Sequence, residues 1–185
     1  SSPICVADTF DVAYAAAFDG FHTYNPIWIE EGEFNGTYSD QAKAARVAGK
    51  IWAATVCPGY DDREVRSPGT YVSGKGGAYY NLTWKSAIHS DPDIILICTW
   101  NEWHEGTNIE PSREFEFKYL QLTNYWATIY KDGPLREPPD IEPSLNQSLS
   151  ASDGALKMEV HNLGMAGALA LNILLSVKNV SDLRS

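Results

Sequence analysis

Along the chain, short unbroken apolar runs alternate with stretches of helical spacing. Ile4-Cys5-Val6-Ala7 is a first apolar run and predicts a buried strand. Residues 11–17 predict a short helical stretch. Phe18-Asp19-Gly20-Phe21-His22-Thr23-Tyr24 predicts a second strand, ended by Asn25-Pro26. A polar, glycine-containing loop is expected over 30–38. Ser39 and Asp40 are candidate caps for a helix carrying Ala42, Ala44, Ala45, Val47 and Ala48, which Gly49 stops. Residues 51–56 read as a third strand, broken at Pro58-Gly59 and followed by a long loop with glycines at 69, 74, 76 and 77. A helix is expected over 79–89. Residues 94–99 form the most apolar strand in the chain. They do not alternate, so both faces are expected to be buried, as in a parallel sheet. A long helix is expected over 113–130, with Phe117, Leu120, Tyr125 and Ile129 inward, closed by Asp132-Gly133-Pro134.

Strand and helix alternating at this spacing is the βα pattern of a parallel α/β fold. The pattern then changes. Pro134, Pro138, Pro139 and Pro143 and a serine-rich patch mark a linker over 134–153. Beyond it, 156–160 and the alternating 169–177 predict two strands. The expected organisation is therefore an α/β domain over 1–133, the linker, and the start of a β-sandwich module over 154–185. No apolar run reaches the roughly 20 residues of a spanning helix. The chain opens at Ser1-Ser2-Pro3 and stops at Arg184-Ser185, so both ends read as cut and a preceding N-terminal half is expected.

The chain has 185 residues and a net charge of −10, which excludes a basic stripe for nucleic acid or for an anionic membrane surface. Cys5, Cys57 and Cys98 are widely spaced and give neither a metal framework nor a disulfide set. The pattern N-x-[ST] recurs at Asn35, Asn81, Asn146 and Asn179, which favours an extracellular or secretory location. Of the six tryptophans, Trp28, Trp52 and Trp126 are assigned to core packing, and Trp100 and Trp103 to a cleft.

The segment Trp100-Asn101-Glu102-Trp103-His104-Glu105-Gly106-Thr107 follows the last strand directly. In parallel α/β folds, functional side chains sit at the carboxyl ends of strands. Burial beside indole rings and a neighbouring carboxylate would separate the proton affinities of Glu102 and Glu105. One protonated acid and one ionised acid is the pair that glycoside cleavage uses. The plainer reading is a capped loop with solvated glutamates. His104 suits an orienting role better than metal ligation, because no second histidine stands at ligand spacing. Tyr60 and Asp62 fit a turn held by its own backbone as well as they fit a sugar contact, and His22 fits a core position.

Residues 97–111, which include W-N-E-W-H-E-G-T, resemble the signature of glycoside hydrolase family 99, the endo-α-1,2-mannosidases and mannanases. Residues 57–66, with Gly77-Ala78-Tyr79-Tyr80 and Trp84, resemble the block preceding it, and residues 18–24 resemble an upstream strand. The three blocks keep the family's order. The resemblance implies a (β/α)8 barrel, of which this chain holds the last four strands, since a whole barrel takes roughly 250 residues. It implies retaining cleavage inside α-mannosyl oligosaccharides or polysaccharides, with no cofactor and no metal. The residue matching Glu102 would deprotonate the sugar 2-hydroxyl, which attacks C1 to give a 1,2-anhydro sugar. The residue matching Glu105 would protonate the leaving oxygen and then activate water. Asn101, Trp103, His104, Tyr60, Asp62, Arg66, Tyr24 and His22 become the candidate substrate-binding set. On this reading the 185 residues alone are not expected to be active. Two other classes use the same residues: a non-catalytic carbohydrate-binding domain of a surface glycoprotein, and a hydrolase-like module attached to a glycosyltransferase.

Overall fold

A computed structural model describes residues 3–132, 150–152 and 155–157. The chain divides into two compact units, residues 1–136 and 137–185. In the first, four strands form one sheet: β1 (Val6–Asp8), β2 (Gly20–His22), β3 (Ile51–Val56) and a later strand, β6 (Ile94–Ile97). Their order is β1-β2-β3-β6, and every pairing is parallel. Parallel neighbours need crossovers. Helix α1 (Phe34–Val47) joins β2 to β3, and α2 (Ala78–His89) joins β3 to β6. Between β3 and α2 lies a small antiparallel hairpin, β4 (Tyr60–Asp61) and β5 (Tyr71–Val72). Helix α3 (Lys118–Asp132) follows β6. The sheet with its helices is a segment of an α/β barrel.

Rings hold α1, β3 and α2 together. Phe34 meets Tyr38 at 5.6 Å and Tyr79 at 5.9 Å, and Tyr38 meets Trp52 at 5.6 Å, all edge to face. The polar ends of these rings are satisfied. Tyr38 donates to the Thr55 carbonyl, and the Trp52 indole donates to Ser90 Oγ at 2.9 Å. A second cluster seats α3 on α2: Tyr80 meets Tyr119 at 5.6 Å, and the buried Trp126 indole donates to Asn81 Oδ1 at 2.8 Å. At Gly20 the strands come so close that a Cβ would lie 2.7 Å from Ile51 Cβ.

Several boundaries differ from the expected ones. Strand β1 starts at Val6, because Ile4 is exposed and Cys5 instead exchanges hydrogen bonds with Asp19. Helix α1 begins at Phe34, inside the expected loop and five residues before the expected caps. Phe34, Tyr38, Ala42 and Ala45 form one buried stripe, and that packing outweighs Gly36. Its end is as expected. Gly49 is left-handed (φ 65°), and Gly49 and Lys50 donate to Arg46 and Ala45 in a Schellman closure. Strand β6 is the edge strand of this sheet and is less buried than expected, with Ile94 and Ile97 exposed. Helix α3 starts at Lys118, not Arg113. Ser112 and Glu116 exchange backbone hydrogen bonds, and Glu116 sits at φ 47°, which an α-helix excludes. Phe117 is consequently exposed, and the inward residues are Tyr119, Leu122, Trp126 and Ile129. Trp28 is also exposed, leaning on Phe10 at 5.3 Å.

In the second unit, β7 (Ser150–Ser152) pairs antiparallel with β8 (Ala155–Lys157). Strand β7 falls in the stretch read as linker. The strand expected over 169–177 lies outside the described residues.

Candidate active site

Three chain segments leave the sheet at its carboxyl edge and meet there: Thr23-Tyr24 after β2, residues 57–66 after β3, and residues 98–110 after β6. The last is a compact loop. Thr99 N–H donates to the Thr107 carbonyl at 2.9 Å, Ile109 N–H to the Thr99 carbonyl at 3.0 Å, and Glu110 N–H to the Trp100 carbonyl at 2.9 Å. The Thr99 and Thr107 hydroxyls are 2.8 Å apart, and Thr99 Oγ1 also accepts from Glu102 N–H at 3.1 Å. Within this brace Trp103–Glu105 form one turn of 3-10 helix, so Glu102 and Glu105 stand at its two ends. Gly106 ends the turn at φ 61°. A Cβ there would lie 3.1 Å from Asp61 N, so the loop rests directly on β4.

Glu105 is held by one of its two oxygens. Its Oε1 accepts from Arg66 Nη2 at 2.9 Å, and its Oε2 is buried without a partner. The other arm of Arg66, Nη1, reaches Asp62 Oδ2 at 2.8 Å and the Tyr60 hydroxyl at 2.7 Å. Tyr60 in turn donates to Asp62 Oδ2 at 3.0 Å. Asp62 is 3% exposed and its Oδ1 accepts from the N–H of Thr70, the residue before β5, which closes the group. The Arg66 contact, followed by the Thr70 N–H, holds the Asp62 carboxyl below its ordinary range. Asp62 and then Glu105 raise the Arg66 guanidinium further. Burial, the bond to Asp62 and the charge of Glu105 push the Tyr60 phenol up to about 12.

Tyr24 faces the same place from β2. Its backbone N–H donates to Asp8 Oδ1 at 2.8 Å. Burial, then Cys98, Glu105 and Glu102, push its phenol up to about 12, so both glutamates lie within electrostatic reach of it. Beneath, Cys57 and Cys98 follow the paired Val56 and Ile97 and are buried free thiols. Their mutual hydrogen bond, followed by burial, drives the Cys57 thiol up.

The structure therefore gathers Glu102, Glu105, Tyr24, Tyr60, Asp62 and Arg66. His22, at the end of β2, is half-buried with an unpartnered Nδ1. Asn101 and His104 are exposed on the loop, and the half-exposed Trp103 donates its indole N–H to Glu110 Oε2 at 2.9 Å. The environment of Glu105 differs from the expected one. Its close neighbour is a guanidinium, and the indoles of Trp100 and Trp103 are about half exposed. Sequence reasoning missed the Thr99–Thr107 brace and the Cys57–Cys98 contact, which depend on strand register. Among the described residues, no group of three His, Cys, Asp or Glu is placed to hold a metal ion.

The family model of glycosyl hydrolase family 99 matches residues 6–133, the whole of the sheet and its helices. The chain belongs to that family. It is 30% identical over 131 residues to glycoprotein endo-alpha-1,2-mannosidase of Xenopus laevis, covering 61% of this chain and 29% of that protein. It is 32% identical over 133 residues to glycoprotein endo-alpha-1,2-mannosidase-like protein of Danio rerio, with the same coverage, 61% and 29%. The chain thus spans less than a third of the length of these curated relatives. Among solved structures it is similar to the GH99 endo-alpha-mannosidase from Bacteroides thetaiotaomicron. The TM-score is 0.62 at 27% identity, over 70% of this chain and 45% of that one. The family-99 match makes the four parallel strands part of a (β/α)8 barrel, and the Glu102–Glu105 loop follows β6 at the carboxyl end of those strands.

Proposed function

We propose that this chain carries the carboxylate pair of a retaining endo-α-1,2-mannosidase-like hydrolase acting on α-mannosyl oligosaccharides or polysaccharides. Glu102 takes the proton of the sugar 2-hydroxyl, and O2 attacks C1 as the C1–O bond to the leaving sugar breaks. Glu105 gives its proton to the departing oxygen. Glu105 then takes a proton from water, which opens the 1,2-anhydro sugar at C1, and Glu102 returns a proton to O2. Two inversions at C1 amount to retention. The route suits the residues because O2 and the glycosidic oxygen are on adjacent carbons, and one 3-10 turn separates the two glutamates. The observation that carries the reading is Glu105 itself, with one oxygen fixed by Arg66 and the other buried and unpartnered at the carboxyl edge of a parallel sheet. Tyr24, half exposed beside the two glutamates, stays protonated and offers its hydroxyl to the sugar, whereas the Tyr60 hydroxyl is spent on Asp62 and Arg66. The remaining barrel strands come from the preceding part of the same polypeptide.

The test uses the full-length protein and α-mannosyl oligosaccharides, with released sugars separated by chromatography. Glu102→Gln and Glu105→Gln are each expected to lower turnover by about 10³-fold or more. Retained turnover in either variant removes that residue's role. Sugar binding without release by the unaltered protein would favour the non-catalytic carbohydrate-binding reading.

A secretory location is part of the same proposal. Of the two acceptor sites among the described residues, Asn35 is exposed on α1, whereas Asn81 accepts from Trp126 and its Thr83 is fully buried. A glycan is expected at Asn35 and not at Asn81, which peptide mass mapping would decide.

A further inference from the structure

The Arg66 guanidinium does more than neutralise charge. It has only donors, so any atom it holds must accept. Glu105 Oε1, 2.9 Å from Nη2, is therefore an acceptor whether the carboxyl group is ionised or protonated. A carboxylate oxygen and an acid carbonyl oxygen both satisfy that bond, but the hydroxyl oxygen of an acid does so poorly. Arg66 cannot swing away freely, because Nη1 is tied to Asp62 and Tyr60, and Asp62 is itself anchored by the Thr70 backbone. The oxygen left over, Oε2, is buried and has no partner. We propose that Arg66 is a positioning residue for Glu105: it fixes the carboxyl rotamer by Oε1 and confines the exchangeable proton to Oε2. This rests on the reading of Glu105 as the acid. It gives Arg66 a part other than the sugar contact expected from the sequence. The bond survives both protonation states, which a residue alternating between acid and base requires. Asp62 and Tyr60 act one step further back, by holding Arg66 in place.

Two measurements on the full-length protein test this. The first is a thermal double-mutant cycle of Arg66→Met, Glu105→Ala and the pair. Joined residues give a double variant whose Tm shift departs from the sum by ~2 °C or more, and an additive cycle overturns the tether. The second is steady-state hydrolysis of an α-mannosyl oligosaccharide. Arg66→Met is expected to lower kcat about 10²-fold with KM changed less than about threefold, because the acid is present but misplaced. Arg66→Lys, which restores one donor, is expected to regain about tenfold of that loss. A raised KM at unchanged kcat would overturn the proposal and make Arg66 a sugar contact. If the unaltered protein releases no sugar, the hydrolase reading fails, while the thermal cycle still decides whether Arg66 holds Glu105.

Discussion

Trp52 and Trp103 are the same residue type in two different kinds of site. Trp52 is 2% exposed, packs edge to face on Tyr38, and spends its indole N–H on a buried serine hydroxyl. Trp103 is 49% exposed and spends its N–H on a surface glutamate. The first belongs to a core in which rings interlock between helix and sheet. The second belongs to a loop that braces its backbone with threonines and leaves its rings free. Stability is concentrated in the α1–β3–α2 core. The candidate glutamates lie in a loop that buries Cys98, Thr107 and Ile109 at its base and leaves Trp100 and Trp103 about half exposed at its tip.

The largest effect should therefore come from the core. Trp52→Ala is expected to cost about 3–5 kcal/mol, read from denaturant unfolding of the full-length protein. A loss under about 1 kcal/mol would show that the core is not where stability resides.

This contrast also explains what could be read without a structure. The order of elements was legible because parallel strands carry unbroken apolar runs and helices carry their own period. The carboxyl-edge position of Glu102 and Glu105 followed from the run at 94–99, which leads straight into their segment. Boundaries set by tertiary packing were not legible. The helix over 34–47 starts early because Phe34 is drawn into a ring cluster with Tyr79 of α2 and Tyr38, which in turn meets Trp52 of β3. Trp28 was placed in the core on residue type alone, and type does not reveal what covers a ring. The partner of Glu105 was hidden for a similar reason. Arg66 lies 39 residues away in sequence, and only the return of the chain from β3 past β6 brings the two together.

A second way to break the comparison is at the join between the two regions. Gly74 packs against the turn that follows β3. A Cβ there would lie 2.7 Å from the Pro58 carbonyl oxygen and 3.0 Å from the Tyr119 hydroxyl. The first contact is backbone and cannot yield cheaply. Gly74→Ala is expected to destabilise by about 1–3 kcal/mol and to disturb the loop that carries Tyr60 and Asp62. An unchanged Tm would mean that this join is loose.

Asp62 offers a smaller, pH-dependent effect. Its carboxyl is held below the ordinary range by Arg66 and by Thr70 N–H, so the folded state binds that proton less readily than the unfolded chain does. The sign follows from this. The stabilisation is fully present above about pH 4, the unfolded value, and disappears as pH falls through the lower folded value. Asp62→Asn should lower Tm at pH 7 and flatten its fall below about pH 4. Tm curves from pH 2.5 to 7 that stay parallel for the two proteins would remove Asp62 from the acid response.

The smallest effect on stability should come from a half-exposed aromatic of the site, Trp103. Trp103→Phe deletes one surface hydrogen bond, to Glu110, and part of a half-exposed ring. Surface changes of this kind stay within about 0.5 kcal/mol, so Tm should hardly move. If the ring instead meets sugar in the cleft, KM for an α-mannosyl oligosaccharide should rise severalfold while folding is untouched. The two readouts separate the regions. A Tm loss as large as that of Trp52→Ala would make the loop part of the core and dissolve the contrast. An unchanged KM would leave Trp103 on the rim, and the bracing threonines would then serve Glu102 and Glu105 alone.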